Sequence, residues 1–236
     1  MCHQHFNSKL SYFNNFGFGR KIIEKLLYRQ HNTIEAMALA ANNTKILEFL
    51  ELVGRLKHVK RTGWVICDIN ECESIAGHMY RMGMMTFLLT DQNNTTNLDR
   101  FKCLQIALVH DLAECIVGDI TPHCGVSPEE KHRQEDEAMK KIAELTGMAG
   151  DRMYELYKEY EYQSSPEAQF AKDLDRYDMI LQAFEYEKRE KAPRKLQEFF
   201  TATEGKFKHP FIQELVNELY KQREEFESKL MVNGNA

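Results

Sequence analysis

The chain has 236 residues, 43% of them hydrophobic, and a formal net charge of −5. These values are typical of a globular protein with one substantial core. The slightly acidic balance gives no support for a nucleic-acid-binding surface. No apolar stretch approaches the roughly 18 residues of a membrane-spanning helix. We therefore expect neither nucleic acid nor a membrane as a partner.

The cysteines and the N-terminal segment bear on where the protein works. Six cysteines without a CxxC pair predict reduced thiols, as in an intracellular and most simply cytoplasmic protein. The first 36 residues carry five basic and only two acidic side chains. Residues 1–43 are therefore either a disordered basic extension or a mitochondrial presequence. We expect the folded domain over 44–230 and a flexible tail over 231–236.

From residue 44 onward, apolar residues recur at helical spacing. Ser127-Pro128 and Ser165-Pro166 are strong helix starts, since a capping serine precedes a proline in the first turn. Only GWVI (63–66) hints at extended chain. The pattern predicts an all-α bundle, with helices that start near 44, cover 73–90, 98–117, 128–147, 151–162 and 166–190, begin again at 193, and end with 210–230.

Polar residues interrupt the apolar run of the third of these helices. The sequence ALVHDLAEC places His110 beside Asp111, and burying such a pair is costly unless both groups are paired or bound. Glu114 lies four residues after His110 on the same helix face, and Asp119 follows where the helix should end. His78 lies on a largely apolar surface of the preceding helix. These residues predict a polar site between helices.

A divalent cation would make such a site stable, because it neutralises carboxylates and takes imidazole lone pairs. Two histidines and two aspartates suit Mn, Fe, Co, Ni or Zn, with positions left for water and substrate. The long helix offers three aspartates for the last ligand. Its apolar stripe favours Asp173 or Asp178 over Asp175.

The ordered set His78, His110-Asp111 and a later aspartate resembles the H…HD…D signature of the HD-domain metal-dependent phosphohydrolases. Within that family, the 5′-deoxynucleotidases are similar over roughly residues 44–226. The shared motifs are RTGW (61–64), ES (73–74), HMYRM (78–82), ALVHDLAECIVGDI (107–120) and EEKHRQEDEAM (129–139). The resemblance implies an HD-domain helical bundle with a metal site between helices. It also implies hydrolysis of deoxynucleoside 5′-monophosphates to deoxynucleoside and phosphate.

The resemblance also implies a choice of metal ligands. The family has a lysine three residues before its last ligand, which matches Lys172 and Asp175. The metal ligands would then be His78, His110, Asp111 and Asp175. A cation held there lowers the pKa of bound water and polarises a phosphoryl oxygen.

Proton transfer requires a further residue. Glu114 is the best-placed catalytic candidate, and the resemblance implies the same role; the alternative is a solvated helix carboxylate. Asp119 could assist in proton transfer or hold the loop. Glu114 and Asp119 could also share a second, harder cation such as Mg²⁺ with the carbonyl of Ile120.

The resemblance places an arginine and a tryptophan at the substrate. Arg61 would bind the phosphate as a fork, and Trp64 would pack near the sugar and crowd a 2′-hydroxyl. Thr62 and Gly63 separate the two residues here, whereas the bacterial enzymes have them adjacent. The alternative for Trp64 is a residue of the core.

Other functions remain open. The site could hydrolyse another nucleotide phosphoester, or hold a structural metal in a non-catalytic interaction module. All presumed ligands and Glu114 are present, so nothing signals an inactive site. A helical face rich in methionine and tyrosine could form a homodimer or belong to the core; its residues are Tyr80, Met82, Met84 and Met85.

Overall fold

The computed structural model describes residues 28, 37 and 41–234 of the chain. The chain divides into two units, Met1–Glu48 and Phe49–Ala236. Most of the basic N-terminal segment and residues 235–236 lie outside the described residues, so the predicted extension and presequence stay predictions. Residues 41–43 and 231–234, which were expected to belong to the extension and to the flexible tail, are helical. Among the helices that the structure describes, none combines the length and apolar character needed to span a membrane.

The described part of the chain is built from helices, and no strand forms between residues 41 and 234. One isolated bridge pairs Lys60 with Ser74. The all-α class is confirmed. The elements are α1 (41–55), α2 (Thr62–Ile66), α3 (Ile75–Thr86), α4 (Arg100–Val109), α5 (Glu114–Val117), a 3₁₀ turn (Pro122–Cys124), α6 (Pro128–Thr146), α7 (Met148–Glu161), α8 (Pro166–Glu190), α9 (Gln197–Thr203) and α10 (Pro210–Gly234).

The two serine–proline starts are confirmed. The Ser127 hydroxyl accepts from the backbone N–H of Glu130 at 3.2 Å, and the Ser165 hydroxyl accepts from that of Ala168 at 3.1 Å. Each serine thus satisfies one of the N–H groups that the first turn leaves free. The two caps fix where α6 and α8 begin.

The predicted helix over 98–117 is interrupted. α4 ends at Val109, and α5 begins at Glu114. Between them the hydrogen bonds shorten to three residues: Leu112 N–H donates to Val109, and Glu114 N–H donates to Asp111. In such 3₁₀ winding, side chains three residues apart eclipse one another. Asp111 and Glu114 therefore share one face.

Two other predicted elements are wrong. GWVI lies in the helix α2 instead of extended chain. Of its side chains only Trp64 is buried in the core, whereas Val65 and Ile66 are exposed. Residues 193–196 form a turn, and α9 begins at Gln197. The buried Glu187 carboxylate accepts the N–H of Leu196 and so stabilises this turn.

The core consists of two clusters of buried side chains. One surrounds α8, α9 and α10, and the other lies between α6 and α7. Helices α3, α4 and α8 contribute to both clusters and form the shared centre. The methionine and tyrosine face is divided: Met82 and Met85 are buried, whereas Tyr80 and Met84 are exposed.

Candidate metal centre

The four predicted metal ligands meet where α3, α8 and the turn after α4 come together. The Nε2 atom of His78 lies 3.3 Å from Asp175 Oδ1 and 3.7 Å from Asp111 Oδ2. The Nε2 atom of His110 lies 3.2 Å from Asp111 Oδ2. Ligand atoms of His78, His110 and Asp175 all lie within 4.8 Å of one another, close enough to share one ion.

The two histidines present the same ring nitrogen to this cluster. Both are buried, and neither Nε2 has a hydrogen-bond partner in the described part of the chain. The Nδ1 atom of His110 bonds to the carbonyl of Ala107 at 3.0 Å, and that of His78 bonds to Asp178 at 2.7 Å. A carbonyl only accepts, so the Nδ1 atom of His110 carries the proton. This arrangement is typical of metal-binding histidine.

The charges around His78 also favour a bound cation. Burial and Arg61 lower the pKa of His78, but the nearby carboxylates of Asp175 and Asp178 outweigh both and raise that pKa to about 9. Without a cation, the ring therefore takes up a proton at neutral pH. A metal ion binding to Nε2 would displace it. The buried, orphaned nitrogens and the carboxylates opposite them fit a divalent cation.

The three aspartates of α8 have different surroundings. Asp173 accepts the backbone N–H groups of residues 208 and 209, both at 2.7 Å, and so caps the start of α10. Asp178 lies behind His78, on the side of Nδ1. Asp175 alone of the three places an oxygen beside the Nε2 atom of His78.

The second oxygen of Asp175 is held by Lys172, which the family pattern includes, and by Tyr160, which the sequence did not predict. Asp175 Oδ2 accepts from the Tyr160 hydroxyl at 2.6 Å and from Lys172 at 3.0 Å. Burial raises the pKa of Asp175, but Lys172 and His78 lower it more, so this pKa lies well below its usual value. The predicted ligand Asp175 therefore carries the negative charge that a bound cation would need. Nothing in the local sequence distinguishes Tyr160 from other core tyrosines.

Arg61 lies at the same cluster. Its Nη1 atom donates to Asp111 Oδ2 at 3.0 Å, and its Nη2 atom lies 4.0 Å from Asp175 Oδ1. Burial raises the pKa of Asp111, but His110 and Arg61 reverse this and hold it below its usual range. Arg61, the predicted phosphate-binding residue, thus donates to Asp111, which is one of the predicted metal ligands.

Glu114 faces the cluster from the start of α5. Its side chain is 3% exposed, and Oε2 has no hydrogen-bond partner among the described residues. This burial excludes the solvated-carboxylate alternative. Burial raises the pKa of Glu114 well above its usual value, and Asp111 and Asp119 raise it further. Glu114 therefore keeps its proton to a higher pH than an exposed glutamate does, which is the property that a proton donor needs.

Asp119 joins two segments of the site. Its Oδ2 atom accepts the backbone N–H of Thr62 at 2.6 Å, and its carbonyl accepts the Thr62 hydroxyl at 2.7 Å. Gly118 before it has φ 76° and ψ 174°, a region essentially restricted to glycine. The carbonyl of Ile120 accepts from Lys131 at 3.0 Å. Lys131 was not foreseen from the sequence.

A pocket of about 430 Å³ opens beside Arg61 and Asp119. Apolar side chains, among them Met179 and Phe199, form much of its wall. Trp64 also lines it, although only 2% of that residue is exposed. The Trp64 indole N–H donates to Glu73 at 2.9 Å, and its ring packs against Phe199 with centroids 4.4 Å apart. Trp64 is thus both a core residue and part of the pocket wall.

Comparison with known proteins agrees with this geometry. The family described as HD domain matches residues 53–216, more than half of the chain. The chain belongs to the HD domain family. Its HD domain is 49% identical to 5′-deoxynucleotidase HDDC2 of Mus musculus over 189 residues, which cover 80% of this chain and 93% of that protein. It is 45% identical to 5′-deoxynucleotidase hdd1 of Schizosaccharomyces pombe over 193 residues, covering 79% and 94%.

Solved structures resemble this HD domain as well. The PH0347 protein of Pyrococcus horikoshii is 36% identical, with a TM-score of 0.62 and coverage of 74% of this chain and 96% of that one. A conserved hypothetical protein of Pyrococcus furiosus is 31% identical, with a TM-score of 0.63 and coverage of 74% and 99%.

Proposed function

We propose that this protein is a metal-dependent 5′-deoxynucleotidase, a phosphoric monoester hydrolase that converts deoxynucleoside 5′-monophosphates to deoxynucleoside and phosphate. One observation carries the proposal: the orphaned Nε2 atoms of His78 and His110 face Asp111 and Asp175 beside Arg61. The names of relatives at 45–51% identity support the substrate class.

His78, His110, Asp111 and Asp175 would hold the cation, which we propose is Mn, Fe, Co, Ni or Zn. When bound, such an ion supplies an activated water and polarises the phosphoryl group. Oxygen and nitrogen ligands together suit this group of metals, whereas oxygen alone suits Mg²⁺.

The residues of this chain would supply the remaining steps. Arg61 would turn its second guanidinium nitrogen to the phosphate and fix its orientation. Glu114, which is buried and has a raised pKa, would donate a proton to the leaving 5′-oxygen. Asp119 holds Thr62, next to Arg61, and so keeps the arginine in place. The deoxynucleoside would occupy the adjoining pocket, where Trp64 leaves little room for a 2′-hydroxyl.

A second, harder cation such as Mg²⁺ would use Glu114, Asp119 and the carbonyl of Ile120. Lys131 donates to that carbonyl and also pairs with Glu135 at 3.1 Å. Lys131 would therefore have to release Ile120 before a second ion could bind.

We further propose that the active domain spans residues 44–230 and is intracellular, in the cytoplasm unless the basic segment directs it to mitochondria. Nucleic acid and membranes are not expected partners. The exposed part of the methionine and tyrosine face, with Tyr80 and Met84, would be the contact of a homodimer.

The test is phosphate release by the purified protein from dAMP, AMP and dATP. We expect turnover of dAMP well above that of AMP, complete loss after chelation, and recovery with Co²⁺ or Mn²⁺. Preferential hydrolysis of dATP would instead favour another phosphoester as substrate. Tight metal binding without hydrolysis of any of the three would favour the non-catalytic module, and activity that survives exhaustive chelation would refute the metal mechanism.

A further inference from the structure

Behind His78 lies a partly buried polar network that no step of the proposed reaction uses. Asp178 is fully buried, and its Oδ2 atom lies 2.7 Å from the Nδ1 atom of His78. Its other oxygen accepts from the Nε atom of Arg81. Arg81 is itself fixed, because it donates to Glu185 and Gln182, both at 2.8 Å. Each oxygen of Asp178 therefore has one nitrogen atom as its hydrogen-bond partner.

We infer that Asp178 is a positioning residue that holds His78 in the tautomer required of a metal ligand, and that Arg81 fixes the orientation of Asp178. The inference rests on the proposed metal site. An ionised carboxylate only accepts hydrogen bonds, and arginine only donates them. With Oδ1 occupied by Arg81, Oδ2 demands a proton on the Nδ1 atom of His78. In the neutral ring, Nε2 is then left bare and faces Asp175.

A competing interpretation is a separate cation site formed by Glu73, His78 and Asp178, whose ligand atoms also lie within 4.8 Å of one another. Two contacts argue against it. Glu73 already accepts from the indole of Trp64, and the guanidinium of Arg81 holds Asp178. A cation there would face the positive charge of Arg81 and displace the His78–Asp178 hydrogen bond.

His110 and His78 differ in the group that bonds to their Nδ1 atoms. The Nδ1 atom of His110 bonds to a backbone carbonyl, that of Ala107, which no side-chain substitution removes. The tautomer of His78 depends on a side chain. It can therefore be reversed by mutation.

The decisive variant is Asp178→Asn. Because Arg81 only donates, the amide must turn its oxygen to Arg81 and its NH₂ group to the Nδ1 atom of His78. That nitrogen must then accept, so the proton of the neutral ring moves to Nε2, where the metal should bind. We expect Co²⁺ affinity to fall by about 10- to 100-fold, the usual effect of losing the partner of a metal-binding histidine.

A second substitution should reverse the effect. In the double variant Asp178→Asn/Arg81→Gln, a glutamine can donate or accept, so the new amide is free to turn its oxygen back to His78. We expect the double variant to recover most of the Co²⁺ affinity that Asp178→Asn alone loses. A purely structural role of Asp178 predicts the opposite, since the double variant would then be the more damaged one.

The matched control is Asp173→Asn. Asp173 lies on the same helix, is 1% exposed and accepts two backbone N–H groups, but it has no contact with His78 in the described structure. It should reduce stability and leave Co²⁺ affinity unchanged. If Asp173→Asn weakened Co²⁺ binding as much as Asp178→Asn, general loosening of the fold would explain the result and the inference would fail.

Two measurements complete the experiment. Calorimetric titration of the metal-free proteins with Co²⁺ gives the affinities, and ¹⁵N NMR of the histidine rings at alkaline pH gives the tautomer. The neutral ring of His78 should carry its proton on Nδ1 in the wild-type protein and on Nε2 in Asp178→Asn. A wild-type proton on Nε2 would overturn the inference without any variant. Wild-type protein that binds no Co²⁺ would refute the proposed metal site instead, and the NMR result would still decide the role of Asp178.

Discussion

Asp111 accepts from Arg61 and faces the Nε2 atoms of both histidines. One carboxylate therefore connects the proposed phosphate-binding group with the proposed metal ligands. Removing it leaves Asp175 as the remaining proposed carboxylate ligand beside the two Nε2 atoms, and it releases Arg61. Loss of a charged ligand from such a set weakens metal binding strongly.

We therefore expect Asp111→Ala to lose both its bound metal and its phosphatase activity. Elemental analysis of the purified variant should show near-zero metal where the wild-type protein holds stoichiometric metal, and phosphate release from dAMP should fall to background. Normal metal content in this variant would show that Asp111 is not a ligand.

Glu114 should behave differently, because its proposed role is proton transfer to the substrate, and it is not one of the four proposed ligands. In Glu114→Gln the amide keeps the shape of the side chain but has no acidic proton to donate. We expect kcat for dAMP to fall by about 10²- to 10⁴-fold, the usual contribution of a positioned acid or base. KM should change little, since Arg61 still binds the phosphate.

Metal content separates the outcomes for Glu114→Gln. Retained metal with slow single-turnover kinetics supports a proton donor. Lost metal would make Glu114 a ligand, and full activity would leave it without a catalytic role.

At the scale of elements, the site depends on the loop that follows α5. Gly118 has a backbone conformation that other residues rarely adopt, and a Cβ atom placed there meets no described atom within 4 Å. The only obstacle to a side chain is therefore the backbone. This conformation turns the chain so that Asp119 reaches Thr62.

We expect Gly118→Ala to lower the free energy of unfolding by about 1–3 kcal/mol and to reduce activity through displacement of Asp119. Gly54→Ala is the matched control, since Gly54 lies in α1 with open space around its Cβ position. An alanine in a helix should raise stability by about 0.5–1 kcal/mol. Chemical denaturation measures both, and equal effects of the two substitutions would contradict the strain at Gly118.

The start of α10 contains a group that responds to pH. His209 is 7% exposed, and neither ring nitrogen has a hydrogen-bond partner in the described structure. Burial lowers its pKa below the usual 6.5, although Asp173 partly opposes this. The unfolded chain therefore takes up a proton at a higher pH than the folded chain does. Stability contributed by neutral His209 is present above pH 6.5 and is lost as pH falls below it.

His209→Gln should remove this part of the pH dependence. The wild-type free energy of unfolding should fall relative to that of the variant as pH decreases below about 6.5, and the difference should be constant at alkaline pH. Denaturation curves across this range measure it. Parallel curves for the two proteins at all pH values would show that His209 does not titrate with folding.

At the scale of the whole molecule, the sequence predicted the features that local chemistry decides. Ser127 and Ser165 cap α6 and α8 as expected, because capping needs only the residues of one turn. The same pattern could not predict the 3₁₀ winding at 110–113. Apolar spacing reports which side chains are buried and does not distinguish three-residue from four-residue hydrogen bonds along the backbone.

The site shows the same limit. Helical spacing identified His78, His110 and Asp111 as inward-facing, but it favoured Asp173 or Asp178 over Asp175. In the structure these two aspartates are indeed buried, one as a cap and the other behind His78. An apolar stripe indicates which side chains are buried and does not indicate what they contact. Tyr160 and Lys131 were missed for that reason.

The proposed ligands also connect metal binding to the stability of the whole fold. They come from α3, α8 and the turn after α4, which contribute to both core clusters or lie between helices that do. An ion that binds only the folded chain stabilises it by about 2.7 kcal/mol at 100 times its Kd. For a protein of this size we expect Tm to rise by about 5–10 °C, and further with each increase in Co²⁺ concentration. Differential scanning calorimetry of the metal-free protein measures this, with Asp111→Ala as the control that should show no rise. An equal rise in the control would mean that Co²⁺ binds elsewhere, and no rise in the wild-type protein would mean that the four side chains do not form a metal site.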